Sequence, residues 1–131
     1  MIEVQKDFDG WNKEKKTIHT REDILLYHER DVRWCRLGTN IGFEQDGTGI
    51  GHARPVLVLK AFNRFVCLVV PLTTSTKQNR YYVPIGLVNG SHASVIISQL
   101  RLVDTKRLTV KIMVLNKARF DEIRKTIKEM L

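Results

Sequence analysis

Arg54-Pro-Val-Leu-Val-Leu-Lys-Ala-Phe-Asn-Arg-Phe-Val-Cys-Leu-Val-Val-Pro-Leu-Thr73 is the stretch on which the fold turns. Two apolar, β-rich runs, residues 55–59 and 65–72, flank the short polar break at Ala61-Phe-Asn-Arg64, and this is the signature of a β-hairpin. Both runs are apolar at odd and even positions alike. That pattern predicts strands covered on both faces, by a barrel interior on one side and by helices on the other. If Asn63-Arg64 is a two-residue turn, Phe62 pairs with Phe65, and counting back along both strands sets Arg54 opposite Thr73. Directly opposed residues have Cα atoms about 4.5 to 5.5 Å apart, so a guanidinium and a hydroxyl would share one end of the hairpin. A slip of one or two positions would leave them neighbours.

Upstream of the hairpin, residues 38–53 contain five glycines, Gly38, Gly42, Gly47, Gly49 and Gly51, and read as a loop. Long loops in compact domains are often functional, which makes this one a candidate substrate flap beside the Arg54 end of the hairpin. Before it, the run from Asp31 through Val32, Trp34 and Arg36 alternates as a short strand. The first thirty residues read differently. Phe8, Trp11 and Ile18 fall at roughly helical spacing, and Thr20-Arg-Glu-Asp23 resembles a capping box ahead of Ile24 to Tyr27, so two short helices are expected as an appended layer.

Downstream, Arg80-Tyr-Tyr-Val-Pro-Ile85 and Ala93-Ser-Val-Ile-Ile97 are further strands, and residues 100–113 hold one or two more. The chain ends in an amphipathic helix. Asn116 is a suitable N-cap, and Phe120, Ile123, Ile127 and Leu131 recur on one face opposite Lys117, Arg124, Lys125 and Lys128. The expected class is therefore mostly β, a single domain over 1–131 in which 1–30 is appended to a barrel and C-terminal helix over 31–131.

Composition narrows the function. Residues 1–30 hold six Lys and Arg against seven Asp and Glu, whereas residues 31–131 hold sixteen against seven, so of the net charge of +8 the barrel carries +9 and the opening segment −1. A surplus of that size favours a polyanionic partner, nucleic acid first and an acidic protein second. Cys35 and Cys67 sit in separate apolar runs with no CxxC pairing, and His19, His28, His52 and His92 are scattered without ligand spacing. Two core thiols are expected, and no metal or cofactor. The longest apolar run, residues 65–72, is far short of a membrane span, and the first ten residues carry acids and no signal-like apolar stretch, so a cytoplasmic protein is expected.

Six blocks then become recognisable in order: Asp31-Val-Arg-Trp34, Gly42-Phe-Glu-Gln-Asp-Gly47, Ala53-Arg-Pro-Val-Leu-Val58, Val69-Val-Pro-Leu-Thr73, Ser94-Val-Ile-Ile-Ser-Gln-Leu-Arg101 and Asp104-Thr-Lys-Arg-Leu-Thr109. Together they resemble the MazF/PemK toxins of type II toxin–antitoxin systems over residues 30–131. The resemblance implies an SH3-like barrel of the MazF/PemK/CcdB type, a homodimer, a cognate antitoxin that is usually an acidic disordered peptide, and sequence-selective cleavage of single-stranded messenger RNA. The chain departs from the shorter members in its thirty leading residues and in Thr48-Gly-Ile-Gly-His52, inserted in the loop.

The resemblance assigns catalysis to the positions of Arg54 and Thr73, the two residues the hairpin count had already brought together. An RNase that uses no metal lets the ribose 2′-OH attack phosphorus, giving a cyclic phosphate and a 5′-OH end, and must stabilise the developing charge. The permanently protonated fork of Arg54 suits that task, and its high pKa makes it a poor base. Thr73 can bond a phosphate oxygen or the 2′-OH. Glu44 on the flap is the first candidate for proton acceptor and His52 the second. Gln45, Thr74, Ser75, Lys77, Gln99 and His52 are the candidates for reading RNA, since unstacked bases and phosphates need polar partners. Arg101, Asp104 and Arg107 are expected to form structural pairs, and Trp34, Tyr81 and Tyr82 to serve packing before base stacking. Two other classes stay open, a non-catalytic gyrase inhibitor like the CcdB toxins and an inactive RNA-binding barrel.

Overall fold

A computed structural model of the chain describes residues 26–37 and 53–131. Among these, seven strands and one α-helix follow in order: β1 (Asp31–Arg36), β2 (Ala53–Ala61), β3 (Val66–Thr73), β4 (Tyr82–Val88), β5 (Ser91–Ile96), β6 (Arg101–Asp104), β7 (Leu108–Val114) and α1 (Lys117–Met130). Short 3-10 turns at Ile97–Gln99 and Thr105–Arg107 bracket β6. The two helices expected before residue 26 lie outside the described residues. None of the described helices is long and apolar enough to cross a membrane.

The strands pair antiparallel in the order β4-β5-β3-β2-β1-β7, with β6 also on β3. Strand β3 shapes the whole. Val66 to Val69 pair with β6, while Leu72 and Thr73 pair with Val95 and Ser94 of β5, so one edge of β3 serves two strands in succession. The sheet curls there into a half-barrel, and the mostly β class with a C-terminal helix is as the sequence predicts.

Burial explains the unbroken apolar runs. Leu57 and Leu59 of β2 join Val70, Leu72, Val95 and the helix residues Phe120, Ile123 and Ile127 in one core. Val56 and Val58 face the other way and join Cys35, Cys67, Val69 and Val103 in a second. A fully buried Leu or Val contributes about 1.5 to 3 kcal/mol by leaving water, so both faces of β2 and β3 reward apolar residues. Helix α1 forms as its pattern requires: Asn116 caps it by accepting a hydrogen bond from the Arg119 N–H at 3.1 Å. Leu131 departs from expectation. It caps the end of the helix and is 88% exposed.

The hairpin between β2 and β3 differs from the count at its tip and agrees with it at its base. A tight type I′ turn needs positive φ at both central residues, and the described non-glycine residues with positive φ are Arg30 and Asn89 only. Residues 62–65 therefore form a wider loop in which the Asn63 side-chain oxygen accepts from the Phe65 and Val66 N–H groups at 2.7 and 3.0 Å. That wider loop shifts Ala61 opposite Cys67, and a bulge between Val58 and Lys60 shifts the register back, so Val58 faces Val69 and Val56 faces Pro71. The two departures cancel. The Asn-Gly turn occurs instead at Asn89-Gly90, with φ of 52° and 85°, between Val88 and Ser91.

The Asp31-Val-Arg-Trp block has a structural role at its first and third residues. Asp31 and Arg33, two apart on β1 and both buried, form an ion pair with Nε to Oδ2 at 3.0 Å. Arg33 also donates to the carbonyls of Thr109 at 2.8 Å and Leu26 at 2.6 Å, and Asp31 accepts from the His28 N–H at 3.0 Å. One network thus joins the segment before β1 to strand β7.

Cys35 and Cys67 are buried and unpaired, the core thiols expected. Burial pushes both up to about 12 from an ordinary 9.0, with Cys67 adding to the effect on Cys35 and Asp104 to that on Cys67. The unfolded chain can release these protons above pH 9 and the folded chain cannot, so each thiol lowers folding stability as pH rises from 9 toward 12. Neither should react with a disulfide reagent at pH 8 in native buffer, and both should react in guanidinium; fast native labelling would contradict the burial.

Candidate active site

The Arg54 end of the hairpin opens into a cleft of about 390 Å³. Trp34, Arg54, Thr73, Thr74, Asn89 and Ser91 are among the residues that line it. Three parts of the sequence meet here for reasons of pairing. Strand β1 brings Trp34 opposite Pro55 and Cys35 opposite Arg54; β3 ends at Thr73; and the tight Asn89-Gly90 turn carries Asn89 and Ser91 in from the far side of β5.

Arg54 is half-buried, and its Nη1 donates to the Leu72 carbonyl at 2.9 Å. That bond ties the guanidinium to the strand end that carries Thr73. Extending the β2–β3 register by two residues beyond Val56 and Pro71 sets Arg54 against Thr73, as the hairpin count expects. The Thr73 hydroxyl accepts from the Ser75 N–H at 3.1 Å, which leaves its own proton to donate elsewhere. Among the described lining residues Arg54 alone is charged. A guanidinium beside an oriented hydroxyl, among described lining residues that are otherwise neutral, suits an oxyanion or a phosphodiester.

The other expected site residues divide. Thr74 lies in this cleft, and Thr74, Ser75 and Lys77 line a second one beside it. Gln99, at the end of the 3-10 turn after β5, lines neither cleft; the turn carries it on toward β6. Glu44, Gln45 and His52 fall outside the described residues. Asp104 and Arg107, expected to form structural pairs, bond backbone groups: Asp104 accepts from the Lys106 N–H at 2.8 Å, and Arg107 donates to the Arg36 carbonyl at 3.1 Å. Trp34, expected in packing, is half-buried and lines the cleft. Asn89 and Ser91 were missed, although Asn-Gly between two apolar runs is a strong hairpin signal. Among the described residues no group of three His, Cys, Asp or Glu side chains gathers as a metal site would need.

Comparison with known proteins identifies the fold. The chain is similar to the Mycobacterium tuberculosis toxin MazF-mt6, with 20% identity over 76% of this chain and 94% of that one and a TM-score of 0.59. It is similar to MazF from Deinococcus radiodurans at 18% identity, 81% and 96% coverage and a TM-score of 0.65. An endoribonuclease from a mycobacterial species, solved in complex with its cognate antitoxin, matches at 17% identity, 79% and 93% coverage and a TM-score of 0.61. These likenesses are of fold. No curated protein matches the chain. The family model described as the PemK-like, MazF-like toxin of type II toxin–antitoxin systems matches residues 28–131, and the chain belongs to that family.

Proposed function

We propose that the protein is a toxin that cuts single-stranded messenger RNA at selected sequences, using no metal or cofactor. The observation that carries the reading is the placement of Arg54 and Thr73 in one cleft, with the guanidinium fixed to the Leu72 carbonyl. In the proposed reaction the 2′-OH attacks the neighbouring phosphorus, the bond from phosphorus to O5′ breaks, and the products carry a cyclic phosphate and a 5′-OH. The 2′ proton goes to Glu44 or His52 of the 38–52 loop, and the leaving oxygen takes up a proton. Arg54 stabilises the charge on the phosphorane, and the Thr73 hydroxyl donates to a non-bridging oxygen or the 2′ oxygen. Thr74, Ser75 and Lys77 contact the RNA beyond the cleaved bond, with Gln45 on the loop; Gln99 is the weakest of the proposed contacts, since it lines neither cleft.

The proposed unit is one toxin domain over residues 31–131 with residues 1–30 appended, working as a homodimer in the cytoplasm. A basic barrel suits both RNA and an acidic antitoxin, which compete for the same surface. The test is incubation of the purified protein with a long single-stranded RNA in EDTA, with mapping of the new ends. Defined cuts with 5′-OH ends are expected. Intact RNA alongside inhibited DNA supercoiling by gyrase would contradict the reading in favour of the CcdB-like alternative.

A further inference from the structure

The 3-10 turn at Thr105–Arg107 carries the chain from β6, paired with β3, to β7, paired with β1, and so joins two places that the strands keep apart. At one end Arg107 donates from Nη1 to the Arg36 carbonyl at 3.1 Å. Arg36 pairs with Ala53, the residue before Arg54, and shares a face of β1 with Trp34, which lines the first cleft. At the other end the Thr105 hydroxyl donates to the Arg64 carbonyl at 2.6 Å, and its N–H to the Phe65 carbonyl at 2.9 Å. Arg36, Arg107, Lys106 and Arg64 thus follow one another from the rim of the cleft to the tip of the β2–β3 hairpin. Strand β2 rises about 23 Å between Arg54 and Ala61, so that tip is remote from the cleaved bond.

The bond that fixes Arg107 leaves its charge in place, because the Arg36 carbonyl is neutral. Residues 101–107 hold Arg101, Lys106 and Arg107 against Asp104, whose carboxylate caps the turn by accepting from the Lys106 N–H at 2.8 Å. Such a row attracts a polyanion able to lie along it. The tip supplies a second kind of contact. Phe62 and Phe65 are 54% and 45% exposed, and the Arg64 guanidinium stacks 5.0 Å over the Phe65 ring. The loop that presents them is held from inside and outside: the Asn63 side chain accepts from the Phe65 and Val66 N–H groups, and the Tyr27 hydroxyl donates to the Asn63 carbonyl. Aromatic rings and a guanidinium plane on a fixed loop make a platform for unpaired bases at little ordering cost. Cations leading to a stacking platform favour single-stranded RNA, whose every unit offers a phosphate and a flat base, over an acidic peptide.

We propose that Arg36, Arg107, Lys106 and Arg64 form a track that carries single-stranded RNA away from the cleft to a base-stacking platform at Phe62 and Phe65. The proposal rests on the ribonuclease reading for its ligand, and adds a remote surface that selects for the length of the RNA and not for the sequence at the cut. Two uncleavable 2′-O-methyl RNAs with the same central sequence, a hexamer and a hexadecamer, test it by fluorescence anisotropy. Wild-type protein should bind the hexadecamer about tenfold more tightly than the hexamer, and Phe62→Leu should remove about fivefold of that preference. Arg64→Gln combined with Lys106→Gln should flatten the salt dependence of hexadecamer binding by roughly 0.7 for each charge removed. Neither change should alter hexamer binding or kcat. Lys125→Gln combined with Lys128→Gln, an equal charge loss on α1, should leave the ratio of the two affinities as it is.

Binding and cleavage separate the two readings. If wild-type protein cuts no RNA yet prefers the hexadecamer, and the tip variants lose that preference, the ribonuclease reading falls and the track stands. If it cuts RNA while Phe62→Leu and the Arg64 and Lys106 pair leave the preference unchanged, the track is overturned. Equal affinity of wild-type protein for both lengths, or no binding of either, would overturn it as well, as would an equal loss of preference in the α1 control.

Discussion

Arg54→Ala is expected to slow RNA cleavage by about 10²- to 10³-fold while the protein remains folded. Removing one preorganised donor to a developing oxyanion typically costs about 3 to 4 kcal/mol, and the loss should appear in kcat because the charge is greatest in the transition state. The fold should tolerate the change. Arg54 is half-buried at the rim of a cleft, and its Nη1 bond to the Leu72 carbonyl is worth about 1 kcal/mol against water. Arg54→Lys should recover only part of the rate, since an ammonium supplies charge without the planar fork. Single-turnover rates on one RNA site, with circular dichroism as the folding control, give the answer; equal rates for wild type and Arg54→Ala would remove Arg54 from the chemistry.

Arg33→Ala should have the larger effect on stability, about 3 to 5 kcal/mol, because it leaves the Asp31 carboxylate buried without its cation. The loss is compounded. The Thr109 and Leu26 carbonyls lose the donors that tie β7 and the segment before β1 to one side chain. Domains of this size are stable by only about 5 to 15 kcal/mol, so the variant should unfold at much lower denaturant and be partly unfolded at physiological temperature. Arg33→Lys keeps the charge yet cannot span three acceptors in one plane, and should restore only part of the loss. A shift of under about 1 kcal/mol in urea titration would mean that water reaches the pair.

These two arginines show what the sequence makes legible. Arg54 was readable because it lies on a hairpin: local pairing, counted from a turn, brings it to Thr73 whatever the rest of the chain does. Even so the count reached the right base through a wrong tip, since the loop at residues 62–65 and the bulge at Val58 offset one another. Arg33 was not readable as structural, because a charged residue in an alternating strand looks like a solvent-facing position until β7 covers it. The same limit hid Asn89 and Ser91. Their turn is written plainly in Asn89-Gly90, but its arrival at Thr73 depends on the pairing of β5 with the end of β3, a contact of high sequence separation with no local signal. Gln99, a polar residue in a recognisable block, ends the turn at Ile97–Gln99 and is not among the described residues that line either cleft, a position that depends on how the turn joins β5 to β6.

The central claim is that the RNA supplies its own nucleophile and that Arg54 and Thr73 stabilise the resulting phosphorane. Once a cleaved site is mapped, a single 2′-deoxy substitution on the nucleotide just before the cut tests it most directly. The account predicts that this RNA is bound with near-normal affinity and is not cut at that position, while neighbouring sites in the same strand are cut at the usual rate. Cleavage at the substituted position would contradict it, because the attacking oxygen would then have to come from water or from the protein.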